Sequence, residues 1–290
     1  NPASHRVFEA SVGGRIPIIR PMDQCLAANN IEGVAGILNG TTNFILTKMI
    51  EEGMSFDGAL KLAQDNGYAE KDPTADIEGF DACRKVCILA SLAFGKHVYP
   101  NQVETEGITN ITLEDVAYIS SVSGVIKLLG QIKYLNENEI AAFVSPAVVF
   151  KGSQLASVNG VFNAILVRGD AVGDVCFYGP GAGKYPTASA VVADMVDAAK
   201  HTRRRKIFGW DAGSESYVID HRELISMPFY VRAKAGEGEI KRIFGDVKFL
   251  TRTGKPADES AFITDSMTEN ALRKKLEALN VINIIKVTDY

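Results

Sequence analysis

The sequence predicts an α+β protein: an open mixed β-sheet with helices on one face, followed by a smaller unit of alternating strands and helices. Three observations predict it. Helical periodicity and cap signals dominate the first part of the chain, the texture turns to strands from Val125, and the stretch from Pro228 alternates strand and helix in short runs.

Taken in order, Phe8–Arg20 reads as a loop, a glycine turn and a short apolar entry, and Met22–Asn29 as a short helical pattern. Ile31–Leu38 is an apolar run with internal glycines, compatible with a buried strand. Asn39-Gly40-Thr41-Thr42 supplies cap chemistry for the helical run NFILTKMIEE. Ser55 opens another helix, which stops at Gly67. Asp81–Phe94 is a strongly apolar helix, and Thr112 starts a short one. VIKLLGQIKYL and IAAFVSPAVVF, joined by Asn136–Glu139, read as strands, and Asn163–Arg168 and Asp174–Tyr178 continue the sheet. The glycine loop at Gly179–Gly183 then feeds a long helix, Thr187–Lys200.

A boundary is expected over residues 201–227, where apolar periodicity is weak. Beyond it, Pro228–Tyr290 gives the order βαββαβ, the ferredoxin-like arrangement, expected as a separate small domain.

Composition narrows the function classes. A net charge of −4 and a pI near 5.7 argue against a nucleic-acid binder, and the basic run Arg203–Lys206 reads as a solvated linker. No window has the ~18 consecutive apolar residues of a membrane span, and no signal peptide is expected. Cys25, Cys83, Cys87 and Cys176 carry no CxxC spacing. Cys83 and Cys87 share a helix face, but no nearby histidine completes a ligand set, so buried thiols of a reducing cytoplasm are expected.

The chemistry concentrates in Tyr68–Lys85, YAEKDPTADIEGFDACRK. Asp81 and Lys85 are spaced i,i+4 and share a helix face. Such pairs are common on surfaces and weak there, but here the apolar run VCILASLAF follows and an unusual density of acids precedes. A helix that apolar is buried, which places Lys85 near a wet entrance. Desolvation lowers a lysine pKa and the neighbouring Asp81 raises it, and that balance governs proton exchange. Glu70 and Asp76 add two carboxylates suited to an ammonium group. The helix start at Gly40–Thr41 offers N–H donors to a carboxylate or phosphate. Gly179, Gly181 and Gly183 resemble a phosphate cradle but do not make a complete dinucleotide fingerprint.

With those residues in view, the chain resembles homoserine dehydrogenase from Phe8 to about Lys200. The segments VGGRIPII, EGVAGILNGTTNFIL, YAEKDPTADIEGFDACRKVCILA and NAILVRGDAVGDVCFYGPGAGKYPTASAVVADM carry the resemblance, the third most specifically. It implies interconversion of aspartate 4-semialdehyde and L-homoserine with NAD(P), in the biosynthesis of threonine and methionine. It implies that Lys85 exchanges the proton, that Asp81 positions it, and that Glu70 and Asp76 receive the substrate amino group. Tyr68, Gly40 and Thr41 would line the same pocket, and Gly179, Gly181 and Gly183 would lie along the cofactor. It further implies a monovalent cation, Na+, on backbone carbonyls of Glu9, Val12, Gly14 and Ile16.

The resemblance divides the chain into an edge of a nucleotide-binding domain (1–20), a catalytic and dimerisation domain (21–200), a linker (201–227) and an ACT-like regulatory domain (228–290). It suggests a cytoplasmic homodimer or higher homo-oligomer, and threonine as an effector. The chain departs from the family in three places. It carries no GxGxxG, so the 290 residues alone are expected to be inactive. Arg15 stands where a third glycine is usual. Ala235–Glu239 replaces the Asp-x-x-Pro-Gly turn of many ACT domains. Two other readings compete: an amino-acid sensor on a scaffold, and a semialdehyde dehydrogenase. The latter needs a cysteine nucleophile, and Cys83 and Cys87 lie in an apolar helix that disfavours a thiolate.

Overall fold

The computed structural model describes residues 8–13, 16–200 and 210–290. Gly14, Arg15 and the basic run Arg203–Lys206 lie outside the described residues. Near the amino terminus, the helix expected over Met22–Asn29 is a single π turn, Pro21–Cys25, closed by the Leu26 amide on the Pro21 carbonyl at 2.9 Å. Strand β1 (Ile31–Ile37) follows, then α1 (Gly40–Glu52), whose N-cap Asn39 accepts from the Thr42 amide. Helix α2 (Phe56–Asp65) is capped by Ser55, and α3 (Thr74–Ile77) is one turn. Gly79, at φ +81°, turns the chain into α4 (Phe80–Phe94), a conformation that favours glycine.

Strand β2 (Glu104–Thr105) and α5 (Leu113–Ser120) precede a run of four strands: β3 (Gly124–Asn136), β4 (Glu139–Phe150), β5 (Phe162–Gly169) and β6 (Gly173–Pro180). Helix α6 (Lys184–Lys200) begins three residues earlier than expected, since a proline in a first turn forfeits no intrahelical bond. After α7 (His221–Leu224) and β7 (Ser226–Met227) come β8 (Phe229–Lys234), α8 (Glu237–Phe244), β9 (Lys248–Leu250) and β10 (Ser260–Ile263). Strand β11 (Met267–Thr268), α9 (Glu269–Leu276) and β12 (Asn280–Val287) complete the described chain.

Ten strands form one mixed sheet in the order β6-β5-β1-β3-β4-β12-β8-β10-β9, with β2 pairing β4 from outside that path. The period-two alternation of strand side chains sorts the residues between faces. Val34, Ile165 and Val167 enter the core beneath α1, α4 and α5. Ala35, Ala164 and Leu166 face the other side, where Leu155, Val158 and Tyr290 cover them. The large helices thus pack on one face of β1, β3, β4 and β5, as the sequence predicts.

Apart from the two-residue β11, which pairs β7 in a separate ladder, the carboxy-terminal elements follow the order βαββαβ, and their strands lie as β12-β8-β10-β9. The sheet does not break in front of them. Strand β12 pairs parallel with β4 at Lys286↔Ala147 and Val287↔Val148, and Ala141 and Phe143 of β4 share a hydrophobic cluster with Phe229, Val231 and Phe262. Buried ions add to the junction: Arg232 meets Asp115 at 3.2 Å and Glu259 at 3.2 Å, and Tyr230 donates to Asp115 at 2.9 Å. The described part of the expected linker, 210–227, is likewise packed. His97 donates to the Asp211 carbonyl, Ile140 to that of Tyr217, and the Tyr217 ring is buried. These contacts are single backbone bridges, which leave no periodic signal in sequence.

Candidate active site

The site forms where the carboxy end of β1 meets the first turns of α1 and α4. Leu38 follows β1, and its carbonyl accepts from Lys85 Nζ at 2.9 Å. The same Nζ lies 2.6 Å from Asp81 Oδ2, one turn back on α4. An ammonium has three N–H donors, and among the described residues two of them have partners.

Asn39 organises the acids. Its Oδ1 caps α1 by accepting from the Thr42 amide at 2.9 Å. Its Nδ2 donates to Asp76 Oδ1 at 2.6 Å and to Asp81 Oδ2 at 2.9 Å. One carboxamide thereby joins the helix start to two carboxylates from α3 and α4. Burial pushes the Asp76 carboxyl above its ordinary range; the Asn39 bond opposes this, Asp81 reinforces it, and Lys85 opposes it.

Thr41 donates its hydroxyl to the Tyr68 carbonyl at 2.7 Å, and the Tyr68 ring packs edge-on to Phe44 at 5.1 Å. That fixes Tyr68 with 46% of its surface exposed beside the helix start. A Cβ on Gly40 would stand 2.8 Å from the Val161 carbonyl, so only glycine fits there. The loop that supplies Val161 is pinned from below. Asn43 Nδ2 donates to the carbonyls of Val158, Gly160 and Phe162, and the buried Lys127 donates to the Val158 carbonyl at 2.5 Å. Glu70 stands apart: its carboxylate is exposed and bonds to none of the described residues, while its carbonyl accepts from Gln64.

Gly179 pairs with Asn163 in the β5–β6 ladder, and a Cβ on Gly181 would stand 2.2 Å from Asn163 Nδ2. The glycine loop thus lies against the neighbour of the loop that faces Gly40. Asn163 is 1% exposed, and neither its Nδ2 nor its Oδ1 has a hydrogen-bond partner among the described residues. Neither Asn39 nor Asn163 is recognisable as a site residue from the sequence. Asn39 shows only as a cap, and an asparagine opening a strand carries no local signature.

At the amino-terminal turn, Glu9 is engaged as a side chain. Its carboxylate accepts from the amides of Ile18, Ile19 and Arg20 at 2.6, 2.9 and 3.0 Å. Asp194 of α6 accepts from the Glu9 amide and pairs with Arg20. Val12 and Ile16 are buried in the same turn. A cavity of about 740 Å³ opens beside it, lined among others by Glu9, Arg20, Pro180, Tyr185 and Ala190. Among the described residues, no group of three or more His, Cys, Asp or Glu side chains could hold a metal ion.

A partly buried lysine that donates to a carbonyl and a carboxylate stands here among further carboxylates at a helix start, an arrangement suited to proton exchange with a small polar substrate. The comparisons give it a family. The homoserine dehydrogenase model matches residues 17–196. The homoserine dehydrogenase of Synechocystis is 50% identical over 195 residues, 66% of this chain and 45% of that protein. That of Neisseria gonorrhoeae is 36% identical over 96% of this chain and 68% of its own length. A crystal structure of a homoserine dehydrogenase from Thiobacillus denitrificans superposes with a TM-score of 0.87 at 37% identity, over 98% of this chain and 70% of that one. The chain belongs to the homoserine dehydrogenase family, and it spans about half the length of several curated relatives it matches.

Proposed function

We propose that this chain is the substrate-binding part of an NAD(P)-dependent homoserine dehydrogenase that interconverts aspartate 4-semialdehyde and L-homoserine. The observation that carries the reading is Lys85, held by the Leu38 carbonyl and Asp81, with a third N–H that has no partner among the described residues.

In the direction of reduction, the free N–H of Lys85 donates to the aldehyde oxygen as negative charge develops there. In the reverse direction, a neutral Lys85 takes the hydroxyl proton. Asp81 holds the ammonium in place, and Asn39 holds Asp81. Asp76 takes the substrate ammonium, which Glu70 would join by turning in from the surface, while Tyr68, Gly40 and Thr41 close the pocket around the amino-acid end. The nicotinamide cofactor supplies or accepts the hydride when bound. The orphaned Asn163 carboxamide suits such a group, and Gly179, Gly181 and Gly183, having no side chains, would let it approach the backbone. A related hyperthermophilic archaeal homoserine dehydrogenase, 30% identical at a TM-score of 0.56, is described in complex with NADPH, over 69% of this chain and 57% of its own.

Three finer readings accompany this one. A monovalent cation would sit on carbonyls of Glu9, Val12, Gly14 and Ile16; the buried turn at Val12 and Ile16 supports it. Residues 228–290 would form an ACT-type unit answering to threonine, supported by their strand order, and the enzyme would be a homodimer. Because the 290 residues carry no GxGxxG, we expect them to bind L-homoserine without oxidising it. Calorimetric titration with L-homoserine tests the reading. Binding that is lost in Asp76→Ala supports it, and no binding up to saturating concentrations overturns it. Homoserine-dependent NAD(P)+ reduction by the purified chain would overturn its expected inactivity.

A further inference from the structure

Buried polar side chains are almost always hydrogen-bonded, and an orphan calls for an explanation. Asn163 is such an orphan, on both its donor and its acceptor atoms. Its place is specific. It faces the helix side of the sheet, with Oδ1 3.5 Å from where a Gly40 Cβ would stand and Nδ2 2.2 Å from where a Gly181 Cβ would stand. It therefore sits between the first turn of α1, whose leading amides have no acceptor within the helix, and the glycine loop.

We infer that Asn163 is the residue that hydrogen-bonds the carboxamide of a nicotinamide ring held between α1 and the Gly179–Gly183 loop. This rests on the cofactor reading above. The chemistry of the orphan selects the ligand group. A phosphate would satisfy Nδ2 and leave Oδ1 without a donor. A carboxamide offers an acceptor and a donor in one plane, and it pairs with both atoms at once. Gly181 lies over the Asn163 side chain, so the proposed contact requires that loop to move aside. Gly183, at φ +127°, and Gly181, with no side chain of its own, give the loop that freedom. Asn163 is a binding residue on this account, and Lys85 remains the proton-exchanging one.

Two variants of the same chain separate this role from a structural one. Removing a buried polar group that has no partner is neutral or stabilising, so Asn163→Leu melts at or above the temperature of the wild type. The same variant identifies the Asn163 side-chain NH2 resonances by their disappearance from a nitrogen-15 correlation spectrum. Titration with nicotinamide mononucleotide shifts that pair, whereas ribose 5-phosphate leaves it in place. Asn163→Leu weakens nicotinamide mononucleotide binding by about tenfold or more, the net worth of the two hydrogen bonds it removes, and Asn163→Gln recovers part of it. The inference is overturned if the pair stays still while nicotinamide mononucleotide binds, if that ligand does not bind, or if Asn163→Leu melts lower with its affinity unchanged. L-homoserine separates the failures. If it perturbs Lys85 and Asp81 while nicotinamide mononucleotide leaves Asn163 unmoved, this inference falls and the substrate reading stands. If neither ligand perturbs the chain, both fall.

Discussion

Lys85 Nζ lies 2.6 Å from Asp81 Oδ2, within one turn of α4, and shares that oxygen with Asn39. The ammonium is thus anchored on one side by a carboxylate and on another by the Leu38 carbonyl. Replacing Lys85 by Ala removes the proposed proton donor and leaves the surrounding fold, since the side chain is not part of the hydrophobic core. In the enzyme that carries this chain, Lys85→Ala is expected to lower turnover by about 10²–10⁴-fold, the usual contribution of a positioned acid–base group. Homoserine-dependent NAD(P)+ reduction measures it, and a thermal melt checks the fold. Turnover within a few-fold of wild type would remove Lys85 from proton transfer.

Asn39 performs two tasks with the two ends of one side chain, and substitutions separate them. Asn39→Asp keeps an oxygen to cap α1 but turns the other end into a third acid beside Asp76 and Asp81. At pH 7 the three crowded carboxylates repel and lower its stability; as pH falls toward 3.8 they protonate and that loss shrinks, while the cap remains. Asn39→Ala loses the cap, at a cost of about 0.5–2 kcal/mol that does not shrink in this way. Denaturant titration of both variants across that pH range checks the separation. Stability losses with the same pH dependence in the two variants would show that cap and acid contacts are not separate tasks of Asn39.

Sequence periodicity revealed the elements that carry this site, because each has a local signature. Strand β1 shows as an apolar run, α1 by its Asn39 cap, α4 by its apolar length, and the Asp81–Lys85 pair by i,i+4 spacing. What stayed hidden was tertiary. Asn39 meets carboxylates 37 and 42 residues away, and nothing local marks an asparagine for that. The parallel pairing of β12 with β4 comes from two strand edges meeting across more than a hundred residues, so the expected boundary before Pro228 concealed a continuous sheet. Glu70 shows the opposite case: it was legible as part of an acidic run, yet the fold leaves its carboxylate at the surface.

The raised Asp76 pKa gives a signed pH dependence. A folded-state pKa above the ordinary value of 3.8 means that the folded protein holds the Asp76 proton more tightly than the unfolded chain. That group's contribution to stability is full below 3.8 and is lost as pH rises through the folded pKa. At pH 7 the ionised, half-buried carboxylate therefore weighs against folding, and Asp76→Asn relieves it while keeping an oxygen for Asn39. Melting temperatures should show Asp76→Asn above wild type at pH 7, with the gap narrowing as pH falls toward 3.8. A gap that does not change with pH would show that desolvation of Asp76 is not its source.

Lys127 tests the support beneath Gly40. It is 1% exposed, donates to the Val158 carbonyl, Asn43 Oδ1 and Asn159 Oδ1, and burial pushes its pKa down to about 8. The charged form is disfavoured in the folded protein. Its contribution is therefore full above the unfolded value of 10.5 and is lost as pH falls through about 8. The whole change is on the order of 3 kcal/mol. Lys127→Met has no such titration, although it strands three acceptors and starts out less stable than wild type. The informative quantity is the slope: between pH 7.5 and 9.5, wild type should gain unfolding free energy relative to Lys127→Met. Parallel pH profiles for the two proteins would mean that Lys127 keeps its ordinary pKa in the fold. In that case its three acceptors compensate fully for its burial.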